Sequence, residues 1–200
     1  MCIILFLTIS IMEVDTYDLN ADGRKELILL TRNGLSKYGK DIIILDFENK
    51  SVVSHDFKEM QPWKVETGRI SDENILALGL NMKSPLHDEK MDKIFMYSID
   101  TDYGLKAFFR SSKTLNPLRD FVLYDLDHDD TDEIITIEEL NGGNRVINCY
   151  RRHGFGFYIE EQSDKLKRAI FLRDGRYLNI NGDNVDRIIP IGELKYEFKK

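Results

Sequence analysis

Residues 124–134 read YDLDHDDTDEI, an acidic loop that runs directly into an apolar segment. Residues 17–27 read YDLNADGRKEL and align with the first stretch without gaps, 107 positions earlier. In both copies, oxygen-bearing side chains occupy alternate loop positions and a glutamate stands ninth, at Glu26 and Glu133. Chance resemblance between acidic turns is a poor explanation for a match that continues into the following apolar run. The two stretches are therefore interpreted as copies of one repeat.

Two weaker copies extend the repeat along the chain. Gly68–Leu76 is a shortened loop before an apolar run, and Asn179–Ile188 resembles the acidic loop more distantly. The four copies start near positions 18, 69, 125 and 179, which gives steps of 51, 56 and 54 residues. A period of about 50 residues with several strands in each unit is typical of propeller blades. For the second and fourth copies, chance similarity of acidic turns stays an open alternative.

Short β-rich runs bounded by turn residues dominate the chain, and stretches with helical periodicity are scarce. The predicted strands are Glu26–Thr31, Asp41–Phe47, Val52–Phe57, Ile75–Leu80, Lys93–Ile99, Leu105–Phe109, Phe121–Tyr124, Glu133–Glu138, Arg145–Tyr150 and Arg187–Ile191. The turn at 141–144 (NGGN) supplies residues that tolerate positive φ, as a hairpin requires. Many short strands predict a sandwich, a barrel or a propeller, and the period favours the propeller.

The sequence thus predicts an all-β fold, a propeller-like array of about four antiparallel blades of roughly 50 residues. We expect one domain over residues 1–200, with approximate units 14–64, 65–120, 121–174 and 175–200. Propellers usually close with four to eight blades, so the sequence leaves open whether the array is complete.

The first twelve residues, Met1–Met12, are nearly all apolar. They are too few to cross a bilayer as a helix, which takes about 20 residues. They also lack the basic residues and the small-residue cleavage site of a secretory signal. Two interpretations stay open: a buried strand, or the remnant of a signal or anchor whose upstream part is missing.

The acidic loops have the spacing of a metal site. A hard divalent cation such as calcium takes six to eight oxygen ligands, and alternate loop positions direct side-chain oxygens to one point. The predicted ligands are Asp125, Asp127, Asp129, the Thr131 carbonyl and Glu133 in the third copy, and Asp18, Asn20, Asp22, the Arg24 carbonyl and Glu26 in the first. The alternative is that these acids are solvated turn residues, which Asp and Asn favour anyway.

An EF-hand is excluded because its twelfth position must be a bidentate glutamate, and here Leu29 and Thr136 stand there. Since the third loop offers four carboxylates and the first offers three plus the neutral Asn20, we expect calcium to stabilise the third loop more. In the fourth copy Arg187 replaces the closing acid.

These loops resemble the calcium-binding hairpins of FG-GAP and VCBS-type repeats, which occur in integrin-α propellers and in bacterial surface proteins. Gly154–Phe157 resembles the Phe-Gly element of the same repeat. The resemblance implies a propeller in which calcium is a structural ion. It implies no particular chemistry, because this fold hosts adhesion, ligand binding and scaffolding alike.

Net charge and the missing catalytic motifs argue against several classes of function. A net charge of −7 argues against nucleic-acid binding, which needs a basic face. The chain carries no nucleophile elbow, P-loop or zinc-protease motif.

Cys149 lies in an apolar alternating run and is predicted to be a buried structural thiol. The polar stretch Asn81–Asp92 lacks periodicity, which indicates a ligand-facing loop.

We therefore expect a non-catalytic, calcium-stabilised binding or scaffold module of the cell surface or envelope. Its expected partners are a protein or a carbohydrate, with no nucleic acid and no transmembrane span. Missing partner blades or self-association stay open. The alternative is a carbohydrate-active enzyme, or an accessory domain of one, that uses scattered acids in a propeller cleft.

Overall fold

The computed structural model describes residues 9–85, 87–174, 177–180, 187–190 and 196–199, with side chains for 9–85 and 88–171. Most of these residues lie in β-strands. The strands are β1 Ile9–Tyr17, β2 Glu26–Asn33, β3 Asp41–Asp46, β4 Ser51–Asp56, β5 Pro62–Ile70, β6 Glu73–Ser84, β7 His87–Ile99, β8 Leu105–Arg110, β9 Leu118–Tyr124, β10 Glu133–Glu139, β11 Arg145–His153, β12 Gly156–Gln162, β13 Phe171–Asp174, β14 Tyr177–Ile180, β15 Arg187–Pro190 and β16 Tyr196–Lys199.

The first twelve strands form three antiparallel sheets of four strands each. The orders are β1-β2-β3-β4, β5-β6-β7-β8 and β12-β11-β10-β9, so each strand pairs with its neighbours in sequence. Strands β13 and β14 form a separate two-stranded sheet, as do β15 and β16. Within the described residues, a 3-10 turn at Lys58–Met60 is the only helical element. The predicted all-β class and the scarcity of helix are confirmed.

The chain divides into two compact units. The first comprises residues 1–67 and 74–110, and the second comprises 68–73 and 111–200. The core of the first unit contains Ile28 and Leu30 of β2 and Leu76 and Leu78 of β6, and the second has its own core around Ile135. The prediction of one domain over 1–200, with its four approximate repeat units, stays a prediction.

The first three repeat copies occupy the same place in three successive sheets. The loop after Tyr17 joins β1 to β2, and the loop after Tyr124 joins β9 to β10. In the second sheet, a tight turn at Ser71 and Asp72 joins β5 to β6. The two acidic loops enter strands directly at their closing glutamates, as predicted. Of the fourth copy, residues 181–186 lie outside the described residues.

The prediction that Asn81–Asp92 is a loop is wrong. Strands β6 and β7 continue through this stretch as one long hairpin, in which Asn81 pairs with Asp92 and Met82 with Met91. The Asn81 side-chain amide donates to the Asp92 carboxylate at 2.7 Å. This stretch is extended because it pairs with the opposite strand, which its polar sequence alone does not indicate.

The apolar N-terminal run is a strand where the structure describes it, since Ile9–Met12 belong to β1. In this described part Ile9 and Ile11 are 67 % and 56 % exposed, while Met12 packs against the core of the first unit. Met1–Thr8 lie outside the described residues. Among the residues that are described, no helix has the length and apolar character needed to cross a membrane.

Candidate metal centre

The third loop is held by hydrogen bonds from its own backbone to its acidic side chains. The Asp125 carboxylate accepts from the N–H groups of Asp129 and Asp130, each at 3.1 Å. The Asp129 Oδ1 atom accepts from the Thr131 N–H at 2.9 Å. The loop can close tightly because His128 and Asp130 adopt positive φ values of 62° and 64°. The first acid of the pattern thus organises the turn.

The first loop repeats this arrangement. The Asp18 carboxylate accepts from the N–H groups of Asp22 at 3.1 Å and of Gly23 at 2.9 Å. The Asp22 Oδ1 atom accepts from the Arg24 N–H at 2.9 Å. Ala21 and Gly23 hold the positive φ positions. The sequence match between the two copies is therefore a match in backbone conformation.

Each loop ends on a buried glutamate. The Glu133 Oε2 atom accepts from the Leu126 N–H at 3.0 Å, and the Glu26 Oε2 atom accepts from the Leu19 N–H at 2.7 Å. Both glutamates are 2 % exposed. Burial raises the pKa of both carboxyls, that of Glu133 to about 7. Because a buried carboxylate is costly to ionise without a counter-charge, each closing glutamate favours a nearby cation.

Three carboxylates converge in the third loop. Oxygens of Asp125, Asp127 and Glu133 lie within 4.8 Å of one another, and this is the only such acidic group in the described part of the chain. The Asp127 Oδ1 atom is buried and has no hydrogen-bond partner among the described residues. A hard divalent cation would satisfy that oxygen, and the all-oxygen donor set fits calcium. The predicted ligand Asp129 does not join the group.

Arg151 on β11 contacts this carboxylate group. Its Nη2 atom lies 2.7 Å from Glu133 Oε1 and also pairs with Asp127 Oδ2, while its Nε atom lies 3.2 Å from Glu160 Oε2. Nothing in the sequence of the loop itself points to Arg151 as part of the site. Strand register brings it there: Ile134 pairs with Tyr150, and one further residue along this antiparallel register places Arg151 opposite Glu133.

The first loop has a different neighbour at the corresponding position. Leu27 pairs with Leu45, so the residue opposite Glu26 is Asp46. Asp46 Oδ2 accepts from the Tyr103 hydroxyl at 2.7 Å, and that hydroxyl accepts from the Asn20 side-chain amide at 3.0 Å. Hydrogen bonds, led by the one from the Asn49 N–H, lower the pKa of Asp46 to about 2. The first loop therefore faces an additional acid.

No protein-family model matches this chain, and a search among curated proteins finds no relative. Any functional assignment therefore depends on the two loops, the strand residues opposite them and the sheets that carry them.

Proposed function

We propose that this chain is a non-catalytic propeller-type repeat module of the FG-GAP and VCBS kind that calcium stabilises. In this proposal it acts at the cell surface or envelope as a binding or scaffold module for a protein or carbohydrate partner. The observation that carries the proposal is the pair of acidic loops with matching turn hydrogen bonds and buried closing glutamates.

The sheets support the propeller part of the proposal. A propeller blade is a four-stranded antiparallel sheet whose strands are connected in sequence, and three successive sheets of this chain have that order. In the first and third sheets the acidic loop joins the first two strands. A repeated sheet with a repeated loop at one position is the expected organisation of a blade array.

The third loop supports calcium as the ion. Asp125, Asp127 and Glu133 would hold it, and the buried Oδ1 atom of Asp127 would gain the partner that it lacks. Calcium bound only to the folded chain would stabilise that fold through linkage, by about 2.7 kcal/mol at a free concentration 100 times the dissociation constant. The bound ion would supply charge compensation in the loop.

Calcium binding by the intact 200-residue chain tests the proposal. Calorimetric titrations would compare the wild type with Asp22→Asn in the first loop and Asp127→Asn in the third. Asp72→Asn is the matched control, because Asp72 lies in the corresponding turn of the second sheet and is fully exposed. Each loop variant should weaken one class of site at least tenfold, and the control should leave both unchanged. Equal titrations for all four proteins would contradict the proposal.

The enzyme alternative finds no specific support in the acidic pair that the sequence places at 138–139. Glu138 is buried and accepts from the Tyr150 hydroxyl at 2.6 Å and the Asn116 N–H at 2.7 Å. Glu139 forms a two-point ion pair with Arg119. The two carboxylates thus have separate structural partners, and the enzyme hypothesis stays a prediction.

A further inference from the structure

Arg151 occupies a position that an ion in the third loop would have to share. Its guanidinium pairs with Asp127 Oδ2 and, at 2.7 Å, with Glu133 Oε1. Both residues belong to the group of three carboxylates that could hold a metal. The arginine side chain is only 21 % exposed, so it lies within the site and not in bulk solvent.

A divalent cation and the guanidinium compete for the same two carboxylates. Asp127 Oδ1 is the oxygen that calcium would take, while Oδ2 of the same carboxylate already pairs with the guanidinium, so the two cations would be close neighbours. Two positive groups so close together in a partly buried site also repel each other strongly. This repulsion favours movement of the guanidinium away from the group when calcium binds.

The structure also contains a second partner for the displaced arginine. Glu160 on β12 lies 3.2 Å from the Arg151 Nε atom, on a strand paired with β11. It is more exposed than Glu133, with 22 % of its side chain accessible. A guanidinium that leaves Asp127 and Glu133 can thus retain one carboxylate partner.

We propose that Arg151 is an internal counter-ion that sets the calcium affinity of the third loop. In the absence of calcium it neutralises Asp127 and Glu133 and keeps the loop folded. Calcium binds by displacing the guanidinium toward Glu160, so the wild-type loop binds more weakly than its carboxylates alone would allow. This inference rests on the proposed calcium-binding function.

The first loop has no arginine opposite its closing glutamate. Its closing glutamate faces Asp46, and the neighbouring donor is the neutral Tyr103 hydroxyl. The described contacts of the first loop thus include no arginine at the corresponding position. We therefore expect an arginine counter-ion to weaken calcium binding in the third loop but not in the first.

The test measures calcium binding by calorimetry in an Asp22→Asn background, which weakens the first loop so that the third is observed. Arg151→Gln in this background should bind calcium at least tenfold more tightly, which corresponds to about 1.4 kcal/mol. The matched control is Arg152→Gln, which removes the same charge from the adjacent residue. Arg152 contacts the Gly154 carbonyl and the Ser71 hydroxyl. The calcium affinity of Arg152→Gln should stay within about twofold of that of the Asp22→Asn protein, because salt screens charges that act over longer distances.

An unchanged or weaker affinity for Arg151→Gln overturns the inference, and so does an equal gain in Arg152→Gln, which would indicate a general charge effect. If the intact protein binds calcium but Arg151→Gln changes nothing, the inference alone fails. If neither the wild type nor any variant binds calcium up to about 10 mM, well above the range of extracellular sites, the proposed function fails as well.

Glu160→Gln keeps the inference testable if Arg151→Gln does not fold. This variant leaves the three carboxylates in place but removes the second partner of the guanidinium. It should weaken calcium binding about threefold or more in the presence of Arg151, because displacement then costs more. An affinity equal to that of the background would overturn the inference.

Discussion

The first and third loops have the same backbone turn but opposite charges beside them. In both, an aspartate accepts two loop N–H groups and a buried glutamate closes the loop. The residue opposite that glutamate is Asp46 in the first sheet and Arg151 in the third. Local sequence thus specifies the turn, while strand pairing specifies the electrostatic environment.

The two sheets also differ in how their second strands are buried. Along β10, the residues from Glu133 to Glu138 are all buried, so both faces of the strand are covered. Along β2, Ile28 and Leu30 are fully buried while Leu27 and Leu29 on the other face are only partly buried. The apolar outer face of the first sheet is therefore less protected than the corresponding face of the third.

Removal of Arg151 should give the largest effect. In chelator, Arg151→Met should lower the free energy of unfolding by about 3–5 kcal/mol, because Asp127 and Glu133 lose their buried counter-charge. The control Arg152→Met should change it by less than about 0.5 kcal/mol. Urea unfolding monitored by circular dichroism measures both. Equal, small changes in the two variants would show that Arg151 does not stabilise the third loop.

A matched pair of core truncations tests the difference between the sheets. Leu27 and Ile134 each follow the closing glutamate of their loop. Ile134→Ala should destabilise the protein by about 2–4 kcal/mol, because it leaves a cavity among buried residues. Leu27→Ala should cost about 1 kcal/mol or less. If urea unfolding shows that Leu27→Ala costs as much as Ile134→Ala, the outer face of the first sheet is covered in solution.

The smallest predicted effect concerns the second positive φ position of each loop, Gly23 in the first and Asp130 in the third. Gly23→Ala should destabilise the first loop by about 1 kcal/mol through backbone strain alone, because φ is 89° and nothing lies within 4 Å of an added Cβ. Asp130→Gly should stabilise the third loop by about 0.5–1 kcal/mol, since Asp130 has φ of 64°. Denaturant melts in chelator give both values, and a reversed sign for either would contradict the equivalence of the two turns.

Much of the local structure could be predicted from the sequence, because its causes are local. The loops enter strands at Glu26 and Glu133, and the turn at 141–144 has positive φ at Gly142 and Gly143, as turn chemistry requires. The thiol of Cys149 is buried, as its alternating apolar neighbours indicate. In each case the residues that decide the conformation lie within a few positions of one another.

The features that could not be predicted depend on pairing between distant residues. Strand β5 includes Lys64, Glu66 and Arg69 and does not alternate clearly, so its sequence gave no strand prediction. The polar half of the β6–β7 hairpin is likewise formed by cross-strand partners. The same limit applies to the site, since Asp46 and Arg151 become neighbours of the closing glutamates only through strand register.

The contact of Arg151 with the third loop bears on the predicted ranking of the two loops. Ligand charge alone predicts that calcium stabilises the third loop more than the first. That ranking stays a prediction, but Arg151 already neutralises part of the charge on which it depends. A comparison of Asp127→Asn with Asp22→Asn in the calorimetric titrations would establish the order.

The most direct test of the account is the melting temperature of the wild-type chain in chelator, in magnesium and in calcium, with each ion at 100 times the calcium dissociation constant. A site at 100 times its dissociation constant adds about 2.7 kcal/mol, which corresponds to a rise of about 5–10 °C for a chain of this size. We predict that rise in calcium and a smaller one in magnesium, which requires stricter octahedral geometry. The same melting temperature in chelator and in calcium would contradict the account, and the loops would then be acidic turns only.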